Sequence, residues 1–523
     1  MAKLNATGQL LAWSLQRAKE LDDTDSRAVV RDEKVNVVGA GSALTAAYEQ
    51  LRNAAENTEE HLLLQNAIKR FYKQLFIARD EQLIRESGNE LAVELTFAGY
   101  VPNDSLTKKQ LEKISLTATS HYKAYESLHA NRTLQADTTF KWIIDTLGVQ
   151  VEAIINAHRQ DEAFIDVAYA YFEGLLSQDK GLLKKAGKDD FGGALFVAIH
   201  KALLKSDTAA IRSALLNRYQ VNVEDLESYI LYNKKIDTLI ESPATDLLYH
   251  AVDRQGAPLR VIRHMIESRP DFLKQFNKRE TFLESFEQQV NHDYDTIGRR
   301  INRAIVRSVL FLIITKFIIG IAVEVPYDLW AHGHIVWQPL IINLLFPPLY
   351  MIMLRLTHTL PGYANTAALI DRVDTMFYGE STTLMKRQST ARRYGPIFSV
   401  VYIFFGFAVF AAVMYGLLML GFSLVHITIF FVFISAASFL GFRLSRLIRE
   451  LEVVRSRSNG LTFVRDVVYL PFVVVGQWMS DKYSKVNVIT LILDMLIELP
   501  LKTVLRLIRQ WGVFIDERKD RIV

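Results

Sequence analysis

The segment SVLFLIITKFIIGIAVEV, at residues 308–325, sets the class of protein to which this chain belongs. Its length matches a membrane-crossing helix, which takes roughly 17–25 predominantly apolar residues. A buried core helix is the alternative for one such segment, but three more follow it closely. They lie at residues 335–354, 397–420 and 425–442. The sequence therefore predicts four transmembrane helices.

Arginine and lysine residues alternate with these four segments. Residues 299–307, 355–393 and 443–457 are rich in them, whereas residues 326–334 and the turn at 421–424 contain none. Loops on the cytoplasmic side of a membrane carry an excess of these residues. The pattern predicts that both termini lie in the cytoplasm, and we expect a multi-pass protein of the plasma membrane.

The two halves of the chain differ in charge. Residues 1–298 contain 36 Lys and Arg against 43 Asp and Glu, whereas residues 299–523 contain 25 against 14. Basic residues beside apolar segments favour a lipid bilayer over nucleic acid as the partner, because they match anionic headgroups. The chain has no cysteine, which excludes disulfides, thiolate catalysis and cysteine-bound metal.

Helical patterns dominate the part of the chain before the first apolar segment. Apolar residues recur at three- and four-residue spacing, for example at 138–155 and 163–175. Thr107 and Gln110 have the spacing of a capping box, which begins a helix. The sequence therefore predicts an all-α protein. It divides into a cytoplasmic helical domain at 1–298, a four-helix transmembrane domain at 299–460, and an interfacial or re-entrant segment with a C-terminal amphipathic helix at 461–523.

A seven-residue repeat precedes the first transmembrane helix. Phe276, Leu283, Val290 and Ile297 recur at this spacing within residues 271–298. The pattern is typical of a coiled coil, which would form a stalk leading to the membrane. An ordinary helix that faces a core gives the same pattern over so short a stretch, and both alternatives stay open.

Small residues recur every four positions in the last two transmembrane helices. They are Ala408, Ala412 and Gly416 in the third helix, and Ala437 and Gly441 in the fourth. Small side chains let helix backbones approach closely within lipid. The two helices are therefore expected to form a tight hairpin.

Prolines and charges interrupt three other apolar segments. The second transmembrane helix contains Pro347 and Pro348 and is expected to be kinked or broken. Residues 461–478 contain Pro471 and two charges, so this segment is expected to re-enter the membrane or to lie on its surface. Residues 486–516 carry a polar stripe at every fourth position, which predicts an amphipathic helix at the membrane surface.

The stretch VNVVGAGSALTAA, at residues 35–47, has the outline of a dinucleotide-binding turn. Such a turn needs three glycines and a second strand that ends in an acidic residue. Leu44 stands at the third glycine position and no second strand follows. Gly39 and Gly41 are therefore interpreted as a turn, and Ser42 as the cap of a helix. No nucleotide cofactor is expected.

Two pairs of residues could carry other chemistry. His332 and His334 lie together in the loop predicted outside the membrane, and Asp371 and Asp374 lie three apart on a predicted helix of the inner loop. The histidines could bind a metal weakly, and the aspartates could serve acid–base chemistry. Solvated surface positions account for both pairs, so we expect no metal, no cofactor and no enzymatic activity.

Lys316 is the strongest candidate for a functional residue. It lies near the middle of the first transmembrane helix, and a charge there costs at least a few kcal/mol. Such residues face the interior of a helix bundle and mark a pathway or a partner. By residue type, Glu324, Asn343 and His426 are its candidate partners. A structural ion pair is the alternative to a functional role.

Two classes of function follow. The large helical domain without catalytic motifs favours a non-enzymatic scaffold or sensor, which binds a protein partner or a second copy of itself at the membrane. The alternative is an oligomeric ion channel or transporter with Lys316 on its path. In a scaffold Lys316 should pair within one subunit, whereas in an oligomeric pore several copies of it should face a common axis.

Overall fold

The computed structural model of the protein describes residues 3–37, 46, 49, 62–130, 136–157, 159–178, 190–269, 271–357, 361–379, 396–454, 460–485 and 511. Regular secondary structure within these residues is helical, and the contact between Lys34 and Thr107 is an isolated bridge. The predicted all-α fold is confirmed. The chain divides into two compact units between Gly256 and Ala257. The predicted boundary at residue 298 marks a change of charge and stays a prediction.

The N-terminal unit (Leu4–Gly256) is a set of amphipathic helices, and each buries its apolar face against its neighbours. In the second helix, for example, Ile68, Tyr72 and Phe76 are fully buried. A π-helical turn at His200–Leu204 follows the eighth helix. The helices are α1 (Ala6–Arg31), α2 (Leu63–Ala78), α3 (Glu81–Arg85), α4 (Ser87–Phe97), α5 (Lys108–Ala130), α6 (Ala136–Ile155), α7 (Arg159–Leu176), α8 (Phe191–Ile199), α9 (Thr208–Arg218), α10 (Leu226–Glu241) and α11 (Pro243–Gln255).

Side-chain caps begin several of these helices. Thr107 and Gln110 form the predicted capping box: the Thr107 backbone N–H donates to Gln110 Oε1 (3.0 Å), and the Gln110 N–H donates to Thr107 Oγ1 (3.3 Å). Asp207 caps α9 by accepting from the Ala210 N–H. These caps satisfy N–H groups that have no partner inside the helix. They explain why some helix starts can be recognised in the sequence.

The C-terminal unit (Ala257–Val486) is built around one long helix. A π-helical segment, Gly320–Glu324, joins two α-helices into a continuous helix at Arg279–His332, which is 54 residues long. The helices of the unit are α12 (Ala257–Ser268), α13 (Phe272–Phe276), α14 (Arg279–Ile319), α15 (Val325–His332), α16 (Trp337–Thr357), α17 (Tyr363–Tyr378), α18 (Pro396–Met419), α19 (Leu424–Arg449) and α20 (Gly460–Lys485).

Four helices of this unit are long and apolar enough to cross a membrane, as predicted. Large apolar side chains on their surfaces are exposed, with Phe311 at 59% and Phe404 at 73%. An apolar surface of this extent is typical of contact with lipid or another apolar partner. The four helices therefore suggest a membrane protein. They lie at Arg279–His332, Trp337–Arg355, Val400–Met419 and Leu424–Arg449.

The first of these helices continues beyond its predicted end at Val325. The loop predicted there is wrong, because α15 extends the helix to His332 and Gly333 follows it with a backbone φ of 73°. The apolar segment ends at Val325, which favours a loop after it. Proline is tolerated in the first turn of a helix, where Pro326 lies.

Prolines do not break the other helices of this unit. α16 continues through Pro347 and Pro348, so the predicted break is wrong. α20 continues through Pro471 as one helix. The interfacial and re-entrant alternatives for residues 461–478 both stay predictions. Neighbouring helices can satisfy the backbone groups that a proline frees.

The predicted small residues of α18 do not form a hairpin contact with α19. Ala408, Ala412 and Gly416 are exposed, and a Cβ on Gly416 would meet nothing within 4 Å. Instead α18 packs through bulky side chains, and Phe410 lies with its ring centroid 5.2 Å from that of Phe431 in α19. Four-residue spacing shows that a helix has a small-residue stripe, but it does not show what the stripe faces.

The small residues of α19 are buried, but they face the second helix of the bundle rather than the third. A Cβ on Gly441 would lie 2.8 Å from Leu354 Cδ1 of α16. Ala437 belongs to the same apolar cluster as Met351 of α16. The predicted role of these two residues in close packing therefore applies to a different pair of helices.

A glycine sets the approach of α20 to α19. A Cβ added to Gly476 would lie 2.2 Å from the Ser435 carbonyl oxygen and 2.7 Å from Phe439 Cβ. We expect Gly476→Ala to destabilise the C-terminal unit by about 1–3 kcal/mol, because overpacking forces the helices apart. Thermal unfolding of the purified protein in detergent measures the effect, with Gly416→Ala as the matched control. Equal melting temperatures for the two variants would contradict this close approach.

The seven-residue repeat before the first apolar segment faces other helices of its own unit. Phe276 and Val290 are fully buried. The Phe282 ring, beside this repeat, lies 4.9 Å from the Phe276 ring of α13 and 6.4 Å from the Phe377 ring of α17. The core-facing alternative accounts for this burial, and the coiled-coil stalk stays a prediction.

Two predicted features lie outside the described residues. They are the glycine turn at 39–44 and the C-terminal amphipathic helix at 486–516, apart from Trp511.

Candidate functional site

The predicted residues around Lys316 come together in the C-terminal unit. Lys316 of α14, Glu324 of the π-helical segment, Asn343 of α16 and His426 of α19 are each at most 2% exposed. Together with Asp328 of α15, which is fully buried, they form a group that we call the buried polar cluster. The membrane-spanning parts of these helices are mostly apolar, so the cluster has to satisfy its charges and hydrogen bonds largely internally.

Lys316 and Glu324 form a buried ion pair. Lys316 Nζ lies 2.7 Å from Glu324 Oε1, and both side chains are 1% exposed. In a regular α-helix, residues eight apart point about 80° away from each other. The π-helical segment between them takes more residues per turn, which rotates Glu324 back towards Lys316. Phe433 adds a cation–π contact, with its ring centroid 4.7 Å from Lys316 Nζ.

Asn343 links this ion pair to His426. Its Nδ2 group donates to Glu324 Oε1 (3.3 Å) and to the His426 backbone carbonyl (3.2 Å). His426 Nδ1 lies 2.8 Å from Ser423 Oγ. Three helices and the π-helical segment thus contribute to one network, and the four predicted residues all belong to it. Their functional role stays a prediction.

Asp328 is the member of the cluster that the sequence analysis misses. Its Oδ2 atom accepts the Val336 N–H (2.9 Å), which ties the turn between α15 and α16. Its Oδ1 atom lies 3.5 Å from His426 Nε2 and 3.7 Å from His332 Nδ1. A signal was present, since Asp328 follows Glu324 by four residues and so lies on the same helix face. This signal was not used because residues after Val325 were predicted to form a loop, and a four-residue spacing places two side chains on one face only in a helix.

Three buried polar atoms of the cluster, Asp328 Oδ1, His426 Nε2 and Asn343 Oδ1, have no hydrogen-bond partner within the described residues. Two of them, Asp328 Oδ1 and His426 Nε2, face each other. At 3.5 Å the two atoms attract if the imidazole is charged, but the distance is too long for a good N–H···O bond. The charge on this pair therefore depends on whether His426 carries a second proton.

Ser423, His426 and Asp328 have the residue types of a hydrolase triad, but the geometry favours a structural role for the serine. Ser423 immediately precedes α19, and the His426 backbone N–H lies 3.5 Å from its Oγ atom, as expected for a helix cap. A catalytic triad requires the carboxylate to hold the imidazole by a hydrogen bond. The long contact between Asp328 and His426 does not provide one.

The remaining candidates from the sequence have surface or structural positions. His334 is exposed, and its Nδ1 atom lies 3.0 Å from the His332 carbonyl oxygen. Asp371 is exposed, whereas both carboxylate oxygens of Asp374 accept hydrogen bonds from Arg279 (2.6 Å each). Among the described residues, no group of three His, Asp or Glu side chains is arranged to hold a metal ion.

Two buried histidines of the N-terminal unit are neutral at physiological pH. Burial lowers the pKa of His121 to about 4, and it lowers the pKa of His200 to about 4. His121 Nδ1 lies 2.9 Å from the Thr117 carbonyl oxygen, and His200 Nδ1 lies 3.2 Å from Ser206 Oγ. Both contacts are local, and neither histidine forms a charged site.

The buried polar cluster is therefore the main candidate site of the described chain. It combines one ammonium group, two carboxylates, one amide and one imidazole in the interior of an apolar helix bundle. The ammonium and carboxylate groups can hold charge, and an imidazole can bind a second proton. Comparison of the chain with protein-family models, with characterised proteins and with solved structures finds no match.

Proposed function

We propose that the protein is a multi-pass integral membrane protein of the plasma membrane, which acts as a scaffold or sensor without enzymatic activity. Its N-terminal helical unit lies in the cytoplasm and binds a protein partner or a second copy of the chain. The four helices that are long enough to cross a membrane support the membrane assignment. The size of the N-terminal unit and the absence of catalytic motifs from its sequence support the binding role.

The pairing of Lys316 inside one chain is the observation that carries this proposal. Its ammonium group lies 2.7 Å from Glu324 Oε1 and is shielded from solvent. A pore made by several copies needs this lysine on a shared axis, in contact with water. A lysine whose charge is already matched fits a packed bundle with a structural ion pair. In that case the binding function is carried by the residues outside the membrane-spanning bundle.

The distribution of positive charge supports the orientation. Arg299, Arg300, Arg303 and Arg307 lie on α14 just before its apolar part, and all four are exposed. Residues 333–336, between α15 and α16, contain no Lys or Arg. Because positive residues are retained on the cytoplasmic side, α14 enters the membrane from the cytoplasm. Four crossings then return the chain to the same side, which places both termini there.

An oligomeric ion channel or transporter is the second candidate. Two observations favour it: the π-helical segment Gly320–Glu324, and the buried polar atoms of Asp328 and His426 that have no hydrogen-bond partner among the described residues. Irregular helices and polar groups within a membrane often line the path of an ion or substrate. In such a protein, Lys316 and Glu324 would have to separate to open a path.

Ion flux through proteoliposomes distinguishes the two candidates. We would reconstitute the full chain into vesicles of phosphatidylcholine and phosphatidylglycerol, and measure K⁺, Na⁺ and H⁺ flux under a membrane potential and under a pH gradient. The proposed scaffold predicts the same flux as in protein-free vesicles. The matched variant is Lys316→Met with Glu324→Gln, which removes the ion pair without leaving an unpaired charge. Flux through the wild type that this variant changes would overturn the proposal and establish the second candidate.

A further inference from the structure

The buried polar cluster has an unequal number of positive and negative groups. Lys316 contributes one positive charge, whereas Glu324 and Asp328 contribute one negative charge each, and all three are at most 2% exposed. If His426 is neutral, the cluster carries one net negative charge in an apolar interior. An unmatched buried charge is strongly unfavourable, so proteins pair it or neutralise it. One further positive charge within the cluster, such as a bound proton, would remove this imbalance.

The geometry around His426 provides a place for that charge. Its Nε2 atom faces Asp328 Oδ1 at 3.5 Å, and its Nδ1 atom lies 2.8 Å from Ser423 Oγ. An imidazolium carries an N–H group on each ring nitrogen, so both groups would point at oxygen atoms. A neutral ring with its lone pair on Nε2 would place that lone pair against the carboxylate. A neutral ring with its proton on Nε2 would point an N–H at Asp328, but it would leave the excess negative charge of the cluster in place.

We propose that His426 is a proton-binding site and that its imidazolium form is the partner of Asp328. The ligand of this site is a single proton, and the site does not depend on whether the protein is a scaffold or a channel. When the proton is bound, the cluster contains two positive and two negative groups. When it is released, Asp328 loses its nearest buried counter-charge.

Other ionisable groups near this pair do not replace His426. Lys316 already pairs with Glu324, with 2.7 Å between Lys316 Nζ and Glu324 Oε1. The Tyr327 ring centroid lies 6.1 Å from that of His426, and a phenol provides no positive charge in either protonation state. His332 Nδ1 lies 3.7 Å from Asp328 Oδ1, but its side chain is 39% exposed, so water screens its charge. This exposure makes His332 a route by which protons from solvent can reach the buried pair.

The proton site is connected to the backbone. Asp328 uses its second oxygen to accept the Val336 N–H, which holds the turn between α15 and α16. Proton release leaves this carboxylate with excess charge at the point where two helices meet. A change in pH on that side of the bundle is therefore transmitted to the connection between α15 and α16.

Histidine NMR of the full chain in lipid nanodiscs tests the proposal. With ¹⁵N-labelled histidine, the His426 signal is assigned by its loss in His426→Gln. We expect His426 in the wild type to be an imidazolium at about pH 7, where an ordinary histidine is mostly neutral. In Asp328→Asn the imidazolium signal should be lost at the same pH, because the counter-charge is gone. Equal titration of His426 in the wild type and in Asp328→Asn would overturn the proposal.

Two further variants separate this site from a general effect on folding. His332→Gln should leave the imidazolium signal of His426 intact. Loss of that signal would show that protonation of His426 requires His332, and it would overturn the proposal that Asp328 is the partner. His426→Gln should lower the melting temperature, because Asp328 is left without a positive partner. Adding Asp328→Asn to His426→Gln should reverse most of that decrease in melting temperature. A double variant that melts no higher than His426→Gln would also overturn the proposal.

Discussion

Replacing Lys316 with methionine should destabilise the C-terminal unit by about 3–5 kcal/mol, because removal of one partner leaves a buried charge unmatched. Among the described residues, Glu324 would keep only the hydrogen bond from Asn343 Nδ2, at 3.3 Å. No water replaces the lost ammonium group readily, since the Glu324 side chain is 1% exposed. Denaturant unfolding of the purified protein in mixed micelles measures the loss.

The double variant Lys316→Met with Glu324→Gln tests the cause of that loss. Replacing both members of a buried ion pair is often neutral or stabilising, so most of the lost stability should return. The glutamine keeps an oxygen that can accept the hydrogen bond from Asn343. Lys274→Met is the control for loss of a lysine, because Lys274 is 85% exposed and pairs with Asp271 on the surface.

The comparison with Lys274→Met decides this prediction. If Lys316→Met is no more destabilising than Lys274→Met, the buried ion pair does not stabilise the bundle. If the double variant is as unstable as Lys316→Met, the loss comes from packing rather than from the unmatched carboxylate of Glu324.

Local patterns allow several parts of this fold to be predicted from the sequence. The capping box of Thr107 and Gln110 depends on residues three apart, and the structure forms it with the expected bonds. The four apolar helices are recognisable because hydropathy and length are properties of one segment. Lys316 was a candidate for the same reason, since a lone charge in an apolar helix stands out without any knowledge of its neighbours.

Contacts between helices could not be predicted, because they depend on rotation and depth. Glu324 faces Lys316 only because a five-residue π-helical segment changes the rotation of the helix, and the sequence does not mark that segment. Ala408 and Gly416 are exposed, although their spacing is that of a packing stripe. Asp328 was missed because the apolar segment ends at Val325, so residues 326–334 were interpreted as a loop.

Replacing Arg212 should destabilise the N-terminal unit about as much as replacing Lys316 destabilises the C-terminal unit. Its side chain is 1% exposed and lies between three helices: Nη1 donates to Asn233 Oδ1 at 2.8 Å, and Nη2 donates to Asp237. Its guanidinium group lies 5.9 Å from the Trp142 ring centroid, and Trp142 Nε1 donates to the other oxygen of Asp237 at 2.8 Å. We expect Arg212→Met to destabilise this unit by about 3–5 kcal/mol, because one side chain organises the whole network.

Arg212→Lys should recover only part of that loss. A lysine carries the charge, but it lacks the planar fork that reaches Asn233 and Asp237 together. Arg85→Met is the control for loss of an arginine, because Arg85 is 70% exposed and pairs with Glu81 on the surface of the same unit. Denaturant unfolding followed by circular dichroism compares the three variants. Full stability of Arg212→Lys would show that the charge alone matters.

The effect of Arg212→Met on stability should depend on pH, because Arg212 lies near the carboxylate of Asp145. Burial raises the pKa of Asp145, while Lys69 and Arg212 oppose that rise. Without Arg212 the pKa should rise further, so the folded state of Arg212→Met binds a proton more readily than the unfolded chain. When the pKa of an acid is higher in the folded state than in the unfolded state, the fold is relatively stabilised at a pH below the pKa of the unfolded state. This stabilisation is lost as the pH increases through the pKa of the folded state.

The destabilisation caused by Arg212→Met should therefore be smaller at acid pH than at neutral pH. Asp145→Asn provides the matched test, because it removes the carboxylate and keeps the shape of the side chain. In the Arg212→Met background, Asp145→Asn should recover stability at neutral pH and flatten the dependence on pH. If it does neither, the loss arises from the contacts to Asn233 and Asp237, and the charge of Asp145 has no part in it.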